Sequence, residues 1–293
     1  MHAYAVEPLV SVVMPVRNGA ATIGKQLEAL AGQHAPPPFE VVISDNGSTD
    51  DLTGALDAAT RRWPQLCIRR IDSSARPGIS FARNAGIRHA CSARILICDS
   101  DDVVGADWVR ELAAGLDIYD GVGGALDERL LNAPNSSDQT YAAAGLPVGL
   151  GFLPYPVGAN CGVRREVWQV LGGFDEDYLL GAEEVDFYWR LQLGGYALGF
   201  VPAAVVAYRH RTGLSHILRL GFRRGIGSCQ LAARFKTHIP PESLWTIGGS
   251  WARLIARLPL LGIPDRRLGY LRAAAHRVGQ VVGSVRYSVI HLA

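Results

Sequence analysis

No stretch of these 293 residues approaches the roughly 18 consecutive apolar residues that a membrane-spanning helix needs. The first residues also lack the basic-then-apolar order of a secretory leader, because Glu7 and Pro8 interrupt it and Arg17 and Asn18 follow the apolar stretch. Cysteine is sparse. The five, at positions 67, 91, 98, 161 and 229, show neither metal-ligand spacing nor the even count of a disulfide framework. Buried free thiols in a reducing cytoplasm are the expectation. There is no G-x-G-x-x-G dinucleotide fingerprint and no Walker sequence. Aromatic residues are 8% of the chain and do not interleave with the basic ones, so nucleic acid is a poor partner.

What is present is an ordinary globular composition, 48% hydrophobic and 19% charged, long enough to bury a substantial core. The net charge of +2 hides a segregation. Residues 1–208 carry 15 Lys and Arg against 25 Asp and Glu, whereas residues 209–293 carry 14 against Glu242 and Asp265 alone. An acidic body with a basic tail suits a cation-binding core beside a surface that meets anions.

From Leu9 to Ile97 apolar runs alternate with helical patterns. Leu9–Val16, Phe39–Ser44, Cys67–Ile71 and Arg94–Cys98 read as strands; Ala20–Gly32, Asp51–Arg62 and Ile79–Ala90 read as helices. Continuous apolar strands alternating with helices predict an α/β fold whose mostly parallel sheet is covered on both faces. Four polar loops then share one sheet edge, where open α/β sheets bind ligands. They are Pro15–Gly19, Asp45–Asp50, Ser73–Gly78 and the acidic Asp99-Ser100-Asp101-Asp102. Asp50 or Thr49 is positioned to cap the second helix. Three carboxylates within four residues repel one another, and a hard divalent cation, Mg²⁺ or Mn²⁺, is the commonest reason for such a cluster. An acidic turn leading into a helix is the plainer reading.

The ordered set Ser11–Asn18, Val42–Asp50, Ala82–Ile87 and Asp99–Asp102 resembles the family 2 glycosyltransferases of the GT-A, Rossmann-like fold. The likeness continues through Gly173–Glu176, Glu183-Glu184-Val185-Asp186, Arg190, Gly195-Tyr196 and His210, covering roughly residues 9–211. It implies a catalytic domain over 1–211, with a nucleotide-binding half over 1–104 and an acceptor-binding half over 105–211. A basic helical extension over 212–293 follows. It also implies a nucleotide-diphospho-sugar donor (a UDP-sugar first, dTDP- or GDP-sugars next), a hydroxyl acceptor on a glycan, lipid or small metabolite, and inverting single displacement.

Residue by residue, the likeness assigns Asp45 to the ring N–H of the base, with an Asx-turn as its structural alternative. Pro15, Arg17 and Asn18 would shape the base and ribose site, although Arg17 stands where the family often has an aromatic. Arg76 and Arg83 would meet phosphate, with a structural ion pair the alternative for Arg83. Asp99 would reach ribose or metal-bound water, and Asp101 would ligate the cation with His210 completing the shell. Asp102 would cap the helix from Ala106 onward or support the ligands. Gly158, Ala159 and Asn160 would lie against the acceptor, and Trp189 would stack on a sugar or sit in the core. The family pattern Glu-Asp-x-Asp puts its base at Glu184, one methylene longer than the usual Asp, with Glu183 as rival; Asp186 and Arg190, four apart on one helix, would simply pair. Two other classes stay open: a catalytically silent nucleotide-sugar or glycan binder, and a nucleotidyltransferase, which lacks its usual Gly-rich basic loop here.

Two segments are read with less detail. Residues 132–157, with Asn132, Pro134, Asn135, Ser136 and Ser137, show no periodicity and read as a lid. In the tail, Trp251, Leu254, Ile255 and Leu258 recur at helical spacing beside Arg253 and Arg257. Leu268, Leu271, Ala275, Val278, Val282, Val285 and Val289 form a second stripe flanked by arginines. Such helices pack on the body, form a homodimer, or lie on an anionic membrane, giving a cytoplasmic protein with peripheral contact at the inner membrane surface as the outer option.

Overall fold

The computed structural model describes residues 7–132, 145–210 and 213–293, with the side chains of 264 and 265 excepted. Four strands alternating with three helices open the chain: β1 (Val10–Val16), α1 (Ile23–Ala31), β2 (Phe39–Asp45), α2 (Leu52–Arg62), β3 (Cys67–Asp72), α3 (Ile79–His89) and β4 (Arg94–Cys98). Each expected strand and helix is present to within three residues at either end. There follow β5 (Val103–Val104), α4 (Trp108–Ile118), β6 (Gly121–Asp127), β7 (Val148–Gly149), β8 (Leu153–Pro154), β9 (Asn160–Arg164), α5 (Arg165–Val170), α6 (Glu183–Leu193) and β10 (Leu198–Ala207). The main sheet has the order β3-β2-β1-β4-β9-β6-β10-β5. It is parallel from β3 to β4 and between β6 and β10; β9 runs antiparallel to both of its neighbours, as β5 does to β10.

Side chains alternate across the sheet, as the two-residue period of a strand demands. Val10, Val12, Met14 and Val16 of β1 join one core with Leu27 and Leu30 of α1, Leu56 of α2 and Leu112 of α4. Val13 points to the other face, where Ile87 of α3, Trp168 of α5 and Phe187 of α6 enclose it. Gly86 leaves room for Val13, since a Cβ there would run into its side chain.

β10 contains Pro202, which cannot donate to the ladder, and the register against β6 slips between Val201 and Val205. The amide of Asn160 donates to the carbonyls of Ala125 (2.7 Å) and Ala204 (2.8 Å) at this bulge, and its carbonyl accepts from the Trp108 indole (2.7 Å). Asn160 is wholly buried. Its side chain repairs the sheet, and the expectation that it contacts an acceptor is corrected accordingly.

Three further helices follow: α7 (Leu214–Arg234), α8 (Leu244–Ala256) and, after a 3-10 turn at Leu258–Gly262, α9 (Pro264–Tyr287). α7 docks on the body, placing Leu231 and Phe235 beside Trp189, Val185 and Tyr178. α7 and α9 approach through glycines, not through the valine stripe. A Cβ at Gly225 would meet the His276 carbonyl, and one at Gly279 the Phe222 carbonyl. Val278, Val282 and Val285 stay exposed. No helix of the described residues is long and apolar enough to cross a membrane.

Of the expected lid, residues 133–144 lie outside the described residues. Residues 148–154 form the hairpin β7–β8, turned by Leu150 and Gly151 with φ of 48° and 66°.

Candidate active site at the sheet edge

β1, β2, β3 and β4 all end on one edge, and their loops interlock there. Asn18 takes a left-handed conformation (φ 56°); its backbone N–H donates to Ser48 Oγ (3.0 Å) and its side-chain oxygen accepts from Thr49 N–H (2.7 Å). Asp50 reaches back to Ala20 N–H (2.8 Å), and the cap of α2 is Asp51, which accepts from Gly54 N–H (2.9 Å). The cap expected of Thr49 or Asp50 is thus one residue late. Pro15 is buried in β1, and Arg17 beyond it is exposed.

Asp45 accepts from Ser48 N–H (2.9 Å) and pairs with Arg70 of β3. Burial opposes its charge, but the Ser48 hydrogen bonds and the Arg70 guanidinium outweigh it and hold the carboxyl below its ordinary range. Both the Asx-turn and the ionised carboxylate are therefore real. A carboxylate has about four acceptor positions, so two donors leave capacity for a base N–H.

Arg83 is 3% exposed, too enclosed in this structure to face a phosphate. It pairs with Glu183 at the start of α6 (2.8 Å) and lies 3.9 Å from Asp99. Its ring-stacking partner is Phe174 (5.6 Å), and Gly158 clears the space for it, because a Cβ there would collide with the guanidinium. The bareness of Gly158 thus serves Arg83, not an acceptor sugar. Burial works against the guanidinium's charge, yet Glu183 and Asp99 more than restore it. Burial and the neighbouring Glu184 push Glu183 up to about 7, against the pull of Arg83. Glu184 is half-buried beside it.

Arg76 is committed to Glu176 (3.2 Å) and Asp177 (2.9 Å) rather than to open space. Asn84, which follows Arg83, holds the Gly173–Glu176 loop: its amide donates to the Phe174 carbonyl (2.8 Å) and Glu176 (2.9 Å), and its oxygen accepts from Phe174 N–H (2.9 Å). That explains why those two motifs occur together. Asp186 pairs with Arg190 (2.8 Å) as the four-residue spacing implies, and Arg234 of α7 joins it (2.9 Å). Trp189 is fully buried, its indole donating to the Leu153 carbonyl (2.9 Å). It is a core residue, and no sugar reaches its faces.

Among the described residues, Asp99, Asp101 and Asp102 form the one acidic group compact enough for a metal, with a ligand atom from each lying within 4.8 Å of the others. Asp102 is 1% exposed, and its Oδ2 is buried with no hydrogen-bond partner. Burial and the neighbouring Asp99 push it up to about 8. An oxygen-only donor set with a buried, unsatisfied carboxylate oxygen fits a hard divalent cation. Asp102 caps no helix. Its Oδ1 accepts from Arg209 N–H (2.7 Å), and Arg209 also donates to the Asp101 carbonyl (2.8 Å). His210 stands next along the chain but pairs with Glu128 (3.2 Å) and stays outside the acidic group. His210, expected beside Asp101 in the metal shell, is a neighbour of the cluster here, with its ring turned to Glu128.

Sequence reasoning missed Arg209, Arg70, Glu128 and Gln26. Gln26 had a signal: it is a polar residue at a buried position of α1 among Ile23, Leu27 and Leu30. It donates to the Asp99 carbonyl (3.0 Å) and accepts from Val104 N–H (2.9 Å), pinning both ends of the acidic loop.

An open, mostly parallel sheet with polar loops and an acidic cluster at one edge, backed by a carboxylate-bearing helix, is the architecture of a GT-A-type fold. Over residues 11–171 the chain matches the model of glycosyl transferase family 2, and over 94–264 that of glycosyl transferase family group 2. The chain belongs to glycosyl transferase family 2. It is 28% identical over 251 residues to the pre-mycofactocin glycosyltransferase of Mycobacterium tuberculosis, covering 79% of this chain and 49% of that one. Of the first three curated relatives, it spans 28%, 74% and 49% of the length. The mannosyltransferase PcManGT of Pyrobaculum calidifontis, solved with GDP-Man and Mn²⁺, superposes with a TM-score of 0.66 at 21% identity, covering 94% of this chain and 88% of its own. Staphylococcus aureus TarS 1–349, solved with UDP-GlcNAc, gives 0.57 at 18% identity, covering 96% and 93%. At these identities the structural likeness speaks for the fold alone.

Proposed function

We propose that this protein moves a sugar from a nucleotide-diphospho-sugar to an acceptor hydroxyl, with inversion, using residues 1–211 as the catalytic unit and 212–293 as a docked helical extension. The observation that carries the reading is the compact Asp99, Asp101 and Asp102 group at the end of β4, with the carboxylates of α6 linked to it through Arg83. Asp45 accepts the base N–H, with UDP the first choice of diphosphate and dTDP or GDP the alternatives. Pro15, Arg17 and Asn18 frame the base and ribose. Asp101, with Asp99 and Asp102, would hold Mn²⁺ or Mg²⁺, which when bound neutralises charge on the departing diphosphate.

The chain's own work is positioning and proton transfer. Glu184 takes the proton from the attacking hydroxyl at a carboxylate oxygen. Arg83 fixes Glu183 and, through it, the first turn of α6, setting where Glu184 stands relative to the donor loop. Titration near neutrality, which suits a general base, favours Glu183 as a second reading. Its enclosure by Arg83 argues for Glu184.

Calorimetric titration with UDP, dTDP and GDP, each with and without Mn²⁺, tests the donor site. One diphosphate should bind at micromolar strength and require the metal, and Asp101→Ala should abolish that metal dependence. Absence of binding to all three by the folded protein would leave a silent member of the fold.

A further inference from the structure

α8 is the most apolar helix of the extension, yet Ser250 is its one buried residue. Leu244, Trp245 and Ile255 are 84%, 91% and 62% exposed. Trp245, Gly248, Ala252 and Ile255 follow helical spacing, and all four are exposed, so they form a single uncovered stripe. Leu258 and Leu261 of the adjoining 3-10 turn, and Ile263 just after it, extend it, uncovered as well. Arg253, Arg257, Arg266 and Arg267 stand exposed around it. A contiguous apolar strip of this kind marks an interaction surface.

Charge chooses the occupant. Across residues 209–293 fourteen basic residues face two acids, and one of these, Glu242, is already engaged by the backbone N–H groups of Leu292 (2.6 Å) and Ala293 (2.9 Å) and by His291 (2.8 Å). A second copy meeting it face to face would bring the same positive charge and repel it. Nucleic acid offers the charge but no partner for aliphatic side chains, and the strip has one aromatic. A lipid surface with anionic headgroups supplies both components: acyl chains for Leu, Ile and Trp, and negative charge for the arginines.

We propose that α8 and the 3-10 turn seat this protein peripherally on an anionic membrane, with Trp245 and Leu244 entering the interface and Arg253, Arg257, Arg266 and Arg267 at headgroup level. The proposal is independent of the donor-site reading, because its test does not read sugar transfer. The full chain is sedimented with vesicles of phosphatidylcholine, or of phosphatidylcholine mixed with phosphatidylglycerol, at low and high salt, while tryptophan emission is followed. Trp108, Trp168 and Trp189 are buried and Trp63 and Trp251 half-buried, so the part of the emission shift that Trp245→Ser removes is the report on Trp245. Binding should require phosphatidylglycerol, fall with salt and shift emission to the blue. Trp245→Ser should weaken partition by about tenfold, and reversing Arg253 and Arg257 to Glu by about fivefold per residue or more. Both lie on an exposed helix face and leave the fold intact. No vesicle binding, or equal binding to neutral vesicles, would overturn the proposal. So would a dimer in sedimentation velocity that Trp245→Ser dissolves without any vesicle binding.

Discussion

At the sheet edge charged side chains are enclosed and hold one another: Arg83 between Glu183 and Asp99, Asp186 between Arg190 and Arg234. Along α8 and α9 the arrangement is inverted, with Arg253, Arg257, Arg266 and Arg267 in solvent, apolar side chains uncovered, and the close packing of α9 on α7 left to Gly225, Gly279 and Gly283. Burying a charge is costly unless its partner is placed to compensate it, so such clusters are kept where geometry has a task. Glycine packing has no such partner requirement. It lets two helices touch backbone to backbone and frees their larger side chains to face outward.

The sharpest way to break this contrast is at α6. Glu184→Gln should lower transfer by about 10²–10⁴-fold, as loss of a general base does, while leaving diphosphate binding near its original strength. Glu183→Gln should cost less in turnover but lower the melting temperature, because it leaves the Arg83 guanidinium buried without its closest partner. If steady-state rates show the order reversed, the base is Glu183, and Glu184 is the bystander.

Arg83→Ala comes next. It strands Glu183 and Asp99 together, and the expected loss is about 3–5 kcal/mol in chemical denaturation. Arg83→Lys keeps the charge but loses the planar fork and the stacking on Phe174, so it should recover part of the stability and little of the turnover. Full activity in Arg83→Lys would show that a point charge suffices and would remove its positioning role.

The same contrast explains what could be read in advance. The first half was legible because β1, β2 and β4 are continuous apolar runs punctuated by polar loops, so element type, order and the shared sheet edge followed from pattern. The Asp99–Asp102 group was legible because three crowded carboxylates at a strand end repel one another, whereas the role given to Asp45 came from the family resemblance alone. Arg83, Asn84 and Asn160 were not, because a polar side chain turned inward looks the same in sequence as one turned to a ligand; Pro202 was the only hint that the pairing of β6 with β10 needed a repair. In the extension the arginines and helices were plain, yet the valine stripe of α9 could not be told apart as a packing, dimer or membrane face. Periodicity identifies a face, and only the partner helix decides whether glycine or valine is the side that is covered.

A smaller effect distinguishes the regions by pH. His276, on the glycine-packed α9, is lowered from 6.5 to about 4 by burial first and then by the charges of Arg277, His291 and Arg224. The folded state thus resists a proton that the unfolded chain accepts. Its contribution is complete above 6.5 and is lost as pH falls toward about 4. Glu183 has the opposite sign: raised from 4.5 to about 7, it favours the folded state at low pH and loses that contribution as pH rises through about 7. Acidification from neutrality should therefore loosen α7 and α9 before the sheet. Amide hydrogen exchange between pH 7 and about 4.5, extrapolated for intrinsic rates, should show protection falling first around Gly221–Cys229 and Gly279–Gly283. His276→Gln should flatten that dependence in the helices and leave the sheet unchanged; an unaltered profile would mean that another titrating neighbour, His291 first, sets the acid response of the extension.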